Sequence, residues 1–287
     1  MYPASFEYHR ATSVKDALDL LQKFGDDAKL LSGGHSLIPM MKLRLAQPAH
    51  LIDIAAISDL AEIREDGGKV RIGAGSTHAQ VETSDVVRKR IALLAECAAE
   101  IGDVQVRNRG TIGGSLAHAD PAADYPAAVL ALEAEIKVEG ASGVRTIKAD
   151  EFFLDLLTTA AAPGEILTQV SFAPLGARTG SAYIKHRQPA SGFALVGVAA
   201  VVTLDAKGNF ERVRVGVTGL GAKAFRAKAV EAALTGKAPS EAANAASRVA
   251  DGIDALADIH ASADFRAELA RVYTRRALDQ AVARARG

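Results

Sequence analysis

The chain has 287 residues, 49% of them apolar, enough for a sizeable core and, at roughly 100–200 residues per domain, for two or three units. Lys plus Arg and Asp plus Glu each number 34, so the net charge is near zero and offers no electrostatic footprint for nucleic acid or an anionic membrane. The single cysteine, Cys97, excludes an internal disulfide and any cysteine-ligated zinc or iron–sulfur centre built from this chain alone.

The opening run MYPASFEYHR has no apolar stretch behind a basic one, and nowhere do about 18 apolar residues follow one another. The expectation is a cytoplasmic protein without membrane insertion. Thr12 or Ser13 starts a helix through VKDALDLLQKFG, where Val14, Ala17, Leu18 and Leu21 share a face and Gly25 is the stop. KLLSGG predicts a short strand running into a glycine loop, and HLIDI (50–54) a second strand, so residues 1–55 read as a small α/β unit.

Residues 56–176 read as an α+β unit. KVRIGAG (69–75) predicts a strand, then come a helix over about 86–101, a second glycine loop TIGGS (111–115) and a helix over about 124–132. A hairpin through EIKVEG and VRTI follows, and ILTQVSF (166–172) closes the unit. In residues 177–287, SAYIKHR, ALVGVAAVVTL and ERVRVGVTGL predict a three-stranded antiparallel meander. After Gly221 the chain is alanine-rich and helical, with Leu269, Val272, Tyr273 and Leu278 spaced as one buried stripe. No repeat or low-complexity linker separates the units, so they are expected to pack into one body.

The two glycine pairs, in SGGHS (32–36) and TIGGS (111–115), stand beside hydroxyl residues in a chain with neither a P-loop nor a GxGxxG motif. Consecutive glycines can take positive φ, point several amides into one concavity and bind phosphate oxygens. Two such loops could grip the halves of a pyrophosphate, whereas either alone is more often a tight turn. No G-x-S-x-G, Cys/His pairing or carboxylate cluster supplies a nucleophile or base. The seven histidines are scattered, without HExxH or an i, i+4 pair, so no metal site is expected.

The runs AKLLSGGHSLIPMMKLRLAQPAHLIDI and DVQVRNRGTIGGSLAHADPAADYPA resemble the two flavin-binding segments of the FAD subunits of molybdenum hydroxylases, the xanthine dehydrogenase family. The resemblance is nearest to the medium subunit of aerobic carbon monoxide dehydrogenase and runs from MYPASFEYH to the last helix. It implies an α+β fold: a two-part FAD-binding domain of the vanillyl-alcohol-oxidase/PCMH type, followed by the three-stranded antiparallel sheet and a C-terminal helical bundle. It implies non-covalent FAD, with Ser32, Gly33, Gly34, His35, Ser36 and Leu37 on the first pyrophosphate loop and Lys29 near the adenosine end. Gly110, Thr111, Ile112, Gly113, Gly114 and Ser115 form the second loop, and Asp120 takes the ribityl hydroxyls. The same resemblance implies that Ile101 and Gly102 pack around adenine and pyrophosphate, that Leu167 and Lys185 lie at the isoalloxazine edge, and that Phe193 covers a flavin face.

Ser32, Ser115 and Phe193 depart from the family's frequent Ala, Asn or Asp, and Tyr or Trp, and RQPASGF is less basic than its usual loop. The implied role is an electron-exit subunit with no catalytic residue of its own. A large subunit would hold the molybdenum cofactor and a small one two [2Fe–2S] clusters, in a dimer of heterotrimers. The alternatives are a stand-alone FAD-dependent oxidoreductase, with His35 or His118 as candidate attachment points, and a flavin-less assembly scaffold.

Overall fold

The computed structural model describes residues 1–287. Strand β1 (Glu7–Arg10) is followed by α1 (Val14–Phe24), which starts where the Ser13 side chain accepts from the Asp16 amide and stops at Gly25, φ 54°. Strand β2 (Ala28–Leu31), α2 (Leu37–Lys42) and β3 (His50–Asp53) complete a parallel sheet of order β1-β3-β2. Ala17 of α1 packs there on Ala28 and Ile52, and this core also draws in Ile57, Leu60 and Ile166 from beyond residue 55.

Strands β4 (Ile63–Asp66) and β5 (Lys69–Gly73) lead into α3 (His78–Thr83), α4 (Asp85–Arg90), α5 (Ala92–Ala99), α6 (Val104–Arg107), α7 (Ile112–His118) and α8 (Tyr125–Ala131). Then come β6 (Glu135–Gly140), β7 (Gly143–Lys148), α9 (Ala149–Phe152), the small hairpin of β8 (Phe153–Asp155) and β9 (Thr158–Thr159), and β10 (Ile166–Phe172). The sheet is antiparallel, of order β4-β5-β10-β6-β7. Successive strand residues point to opposite faces: Val70, Ile72, Ile136, Val138, Val170 and Phe172 join the helices in the core, while Lys69, Arg71, Lys137 and Gln169 line the other side. The single helix expected over about 86–101 is in fact two. Ile91, at φ −145° and ψ 54°, breaks it, because α4 ends in Arg88, Lys89 and Arg90 while α5 buries Leu93, Leu94, Ala95, Cys97 and Ala98.

Strands β11 (Thr179–Arg187), β12 (Ala194–Leu204), β13 (Phe210–Thr218) and β14 (Phe225–Arg226) form the third sheet, in that order and antiparallel. It has four strands rather than three; the two-residue fourth is too short for alternation to signal it. Of helices α10 (Lys228–Leu234), α11 (Ala242–Ala246) and α12 (Ala263–Ala285), α12 lies across β11 and β12 and α10 against β13, while α11 packs on α10 and α12. Along β12, Val196, Val198, Ala200 and Val202 face these helices, while Ala199 and Val201 join the core of the middle unit.

The buried stripe of α12 also differs from expectation. It is Arg266, Ala270, Thr274, Ala277, Leu278, Ala281, Val282 and Ala285, with Leu269 and Tyr273 only half-buried and Val272 36% exposed. The helix backbone presses on the strand so closely that a Cβ at Gly180 would stand 2.0 Å from the Ala281 carbonyl oxygen, and only small side chains fit such an approach. No helix is long and apolar enough to cross a membrane.

Candidate functional site

Strand β2 delivers Ser32 through Ser36 to the start of α2. The first amides of any helix lack an intrahelical acceptor, and here Ser36, the N-cap, makes no side-chain cap. The amides of residues 33–37 donate to no group of the chain, so five donors are collected in one short turn. Gly34, φ 77°, supplies the left-handed residue this turn needs. His35 is exposed, Leu37 is half-buried, and Lys29 is exposed on β2.

The second loop is built differently. Thr111 caps α7, its hydroxyl accepting from the Gly114 amide at 3.1 Å, and the Gly113 amide donates to the Ala74 carbonyl at 2.8 Å. Ile112, Gly113, Gly114 and Ser115 are the first turn of that helix, so TIGGS is a helix start rather than a loop of positive φ. Its glycines are required for space. A Cβ on Gly113 would lie 2.5 Å from the Ala74 Cβ, and one on Gly110 would lie 2.4 Å from His78 Nε2.

The two segments meet. Ser32 Oγ and Thr111 Oγ1 are 3.1 Å apart across 79 residues of sequence, and a Cβ on Gly33 would be 2.3 Å from the Arg109 carbonyl oxygen. Behind the contact lies His78, which sequence reasoning missed, although the Thr77–Gln80 capping box ahead of α3 was legible as T-x-x-Q. Burial first, then the nearby His35 and Arg107, pushes the His78 imidazole down to about 3, so it is neutral at neutral pH. Its Nδ1, the Ser76 hydroxyl and the Tyr125 hydroxyl are buried without a partner.

The remaining candidates gather where the C-terminal sheet meets the middle unit. Ile101, half-buried, and Gly102, exposed at φ 50°, form a turn whose two carbonyls accept from Arg107 at 3.1 and 3.3 Å. Gly192 backs onto that turn: its Cβ would stand 3.7 Å from Gly102 Cα. Phe193, beside it, is 46% exposed on a loop tied by its own Gln188 and Ser191 hydrogen bonds. Asp120 caps its own turn, Oδ1 accepting from the Ala122 amide at 2.8 Å, and the Gly219 amide and Thr218 hydroxyl both donate to the Pro121 carbonyl. Leu167 is buried in β10; the next carbonyl, of Thr168, accepts from the Ala74 amide and so links β10 to the second glycine segment.

Lys185 is enclosed rather than presented to open space. Its ammonium has three donors, and these meet the Glu100 carbonyl at 2.7 Å, the Gly192 carbonyl at 2.7 Å and the Asp124 carboxylate at 2.9 Å. Asp124 also accepts from the Tyr183 hydroxyl. Burial pushes the Asp124 carboxyl up to about 6 although Lys185 and Tyr183 pull it down, which leaves it ionised at neutral pH. Asp124 and Tyr183 carry no motif, and only the fold brings them to Lys185.

Residues 4–174 match the family model described as the FAD binding domain in molybdopterin dehydrogenase, and residues 181–281 the CO dehydrogenase flavoprotein C-terminal domain. The carbon monoxide dehydrogenase medium chain of Hydrogenophaga pseudoflava is 42% identical over 99% of each chain. Subunit alpha of the 6-hydroxypseudooxynicotine dehydrogenase complex of Paenarthrobacter nicotinovorans is 38% identical over 100% of this chain and 97% of that one. A solved structure of carbon monoxide dehydrogenase from Hydrogenophaga pseudoflava superposes with a TM-score of 0.96, at 43% identity and 99% coverage of each chain.

Proposed function

The chain belongs to the FAD-binding family of the molybdopterin dehydrogenases, and on that premise we propose that it is the FAD-carrying electron-transfer subunit of a molybdenum hydroxylase complex. The observation that carries this reading is the run of unpartnered amides at residues 33–37, pressed against Gly110 and Thr111. Converging amides and hydroxyls suit phosphate oxygens.

In this reading Ser32 to Leu37 take one phosphate of a non-covalently held FAD, and Gly110 to Ser115 border the other. Ile101, Gly102 and Lys29 lie toward the adenosine end. Asp120 keeps one oxygen free of its own turn for ribityl hydroxyls. Phe193, rigidly held yet exposed, covers a face of the planar ring system bordered by Leu167. Lys185, its donors all occupied, positions the Phe193 loop against the turn at residue 102 instead of donating to the flavin. Bound FAD supplies exchange of two electrons or of one at a time, linking two-electron substrate oxidation to one-electron carriers.

Relatives of similar identity are named for carbon monoxide and for 6-hydroxypseudooxynicotine, so substrate choice belongs to another subunit. Two [2Fe–2S] clusters need about eight protein ligands, and Cys97 is single and buried. The partners are therefore a large molybdenum-cofactor subunit and a small two-cluster subunit, as a dimer of heterotrimers in the cytoplasm, and electrons pass from the clusters through this chain to an external acceptor. Boiling the purified protein should release one FAD per chain. FMN, a flavin that stays attached, or a colourless holo-complex would contradict the reading. The isolated flavoprotein should be reduced by substrate only when both partners are added; rapid reduction without them would favour a stand-alone oxidoreductase.

A further inference from the structure

Away from the glycine segments, the N-terminal sheet assembles three side chains that no role above absorbs. Glu7 and His9 alternate onto one face of β1, and His50, opposite Glu7 in the parallel register, begins β3. His9 Nε2 and His50 Nδ1 are 3.1 Å apart; Glu7 Oε2 lies 3.5 Å from His50 Nδ1 and 3.9 Å from His9 Nε2. Phe24, the last residue of α1, stacks on both imidazoles, with ring centroids 3.8 Å from His50 and 4.7 Å from His9, and so fixes their planes.

We propose that Glu7, His9 and His50 form a zinc site. Zinc binds imidazole nitrogen at about 2.0–2.1 Å and carboxylate oxygen at about 2.0–2.2 Å, and tetrahedral angles then put ligand atoms about 3.3–3.5 Å apart. The three separations here bracket that value, and the carboxylate furthest out belongs to Glu7, whose side chain is 73% exposed and free to close in. Two imidazoles and one carboxylate suit zinc rather than calcium or magnesium, which take oxygen ligands. The carboxylate supplies the negative charge a dication needs.

The site is structural. Strand β1 is an edge strand of four residues, and the metal ties it to central β3. His50 pairs with Ala28 at the start of β2, whereas the first glycine segment leaves from Leu31 at the other end. Zinc therefore braces the frame without touching the phosphate-binding turn. The metal-free rival is a hydrogen bond between the two imidazoles.

The untagged full-length chain with its FAD should be loaded with zinc, dialysed and analysed for metal beside a His9→Gln/His50→Gln double variant and Glu7→Gln. One zinc per wild-type chain, none in the double variant and at least tenfold weaker binding in Glu7→Gln is the expected result. Cobalt should give the wild type a visible band of tetrahedral intensity that the double variant lacks, and zinc should raise the Tm of the wild type alone. Equal FAD content in all three proteins would show that they fold and would keep this test separate from that of the flavin reading. A wild type that dialyses free of zinc, a double variant that retains it, or Glu7→Gln binding as tightly as wild type would each overturn the three-ligand site.

Discussion

Thr111 serves two neighbours with one hydroxyl: it caps α7 through the Gly114 amide and meets Ser32 from the first glycine segment. Thr111→Ala should cost about 0.5–2 kcal/mol, the usual loss of an N-cap, and should weaken FAD binding as well, whereas Thr111→Ser should retain most of both. Thermal unfolding and FAD titration of the same preparations would check this, and an Ala variant matching wild type in both would remove Thr111 from the junction. The glycine pairs were legible as a feature, but most of them are glycine for another reason than backbone freedom. Only Gly34 has positive φ; Gly33, Gly110 and Gly113 are glycine because neighbouring atoms occupy the space of a Cβ. His78 gives a pH dependence whose sign follows from its neutral buried state. A histidine whose folded pKa is about 3 rather than 6.5 binds fewer protons folded than unfolded, so its contribution is whole above about pH 6.5 and is lost as pH falls toward 3. Stability should fall in that window with a slope approaching ~1.4 kcal/mol per pH unit from this group. His78→Gln should flatten the profile of Tm between pH 7 and 4, and an unchanged profile would contradict the assignment.

At the scale of elements, the join between β11 and the turn after α5 rests on Lys185 and Asp124, both almost wholly enclosed. Removing one partner strands a buried charge, so Lys185→Met should cost about 3–5 kcal/mol, and the Lys185→Met/Asp124→Asn double variant should recover much of it. Burial already holds the Asp124 carboxyl above its unfolded value, and loss of Lys185, which pulls it down, raises it further, so the deficit of the single variant should shrink as pH falls and the acid becomes neutral. Denaturant melts at pH 7.5 and 5 would test this; a double variant as unstable as the single one would show that the ion pair is not the source. Helix α12 illustrates why element readings failed where they did. Spacing finds large apolar residues, but a helix laid directly on Gly180 selects alanines for the contact and turns Val272 outward. The break at Ile91 and the two-residue β14 have the same origin, since neighbouring elements rather than local propensity decide them.

Across the whole molecule, the first two units share their cores with their neighbours, Ile166 packing in the first and Tyr183 and Val201 in the second, while the C-terminal core is built from its own residues. A ligand lying across the glycine junction and the Phe193 loop would bind the assembled body and not the unfolded chain. FAD at a thousandfold over its Kd should therefore add about 4 kcal/mol, seen as a large rise in Tm of the apo-protein, and an unmoved Tm would place the cofactor on a surface that folding does not complete. The sequence by itself determined the longer strands and helices, the presence of two glycine segments and the family, because these rest on periodicity, stop residues and motifs within a few tens of residues. It also showed, through a lone cysteine, that cluster ligands must come from elsewhere. Only the tertiary structure decided that Ser32 touches Thr111, that Lys185 is enclosed by Asp124, and that His9 meets His50 under Phe24 across 41 residues. Those contacts depend on strand register and on which elements share a core, and no local pattern of side chains carries that information.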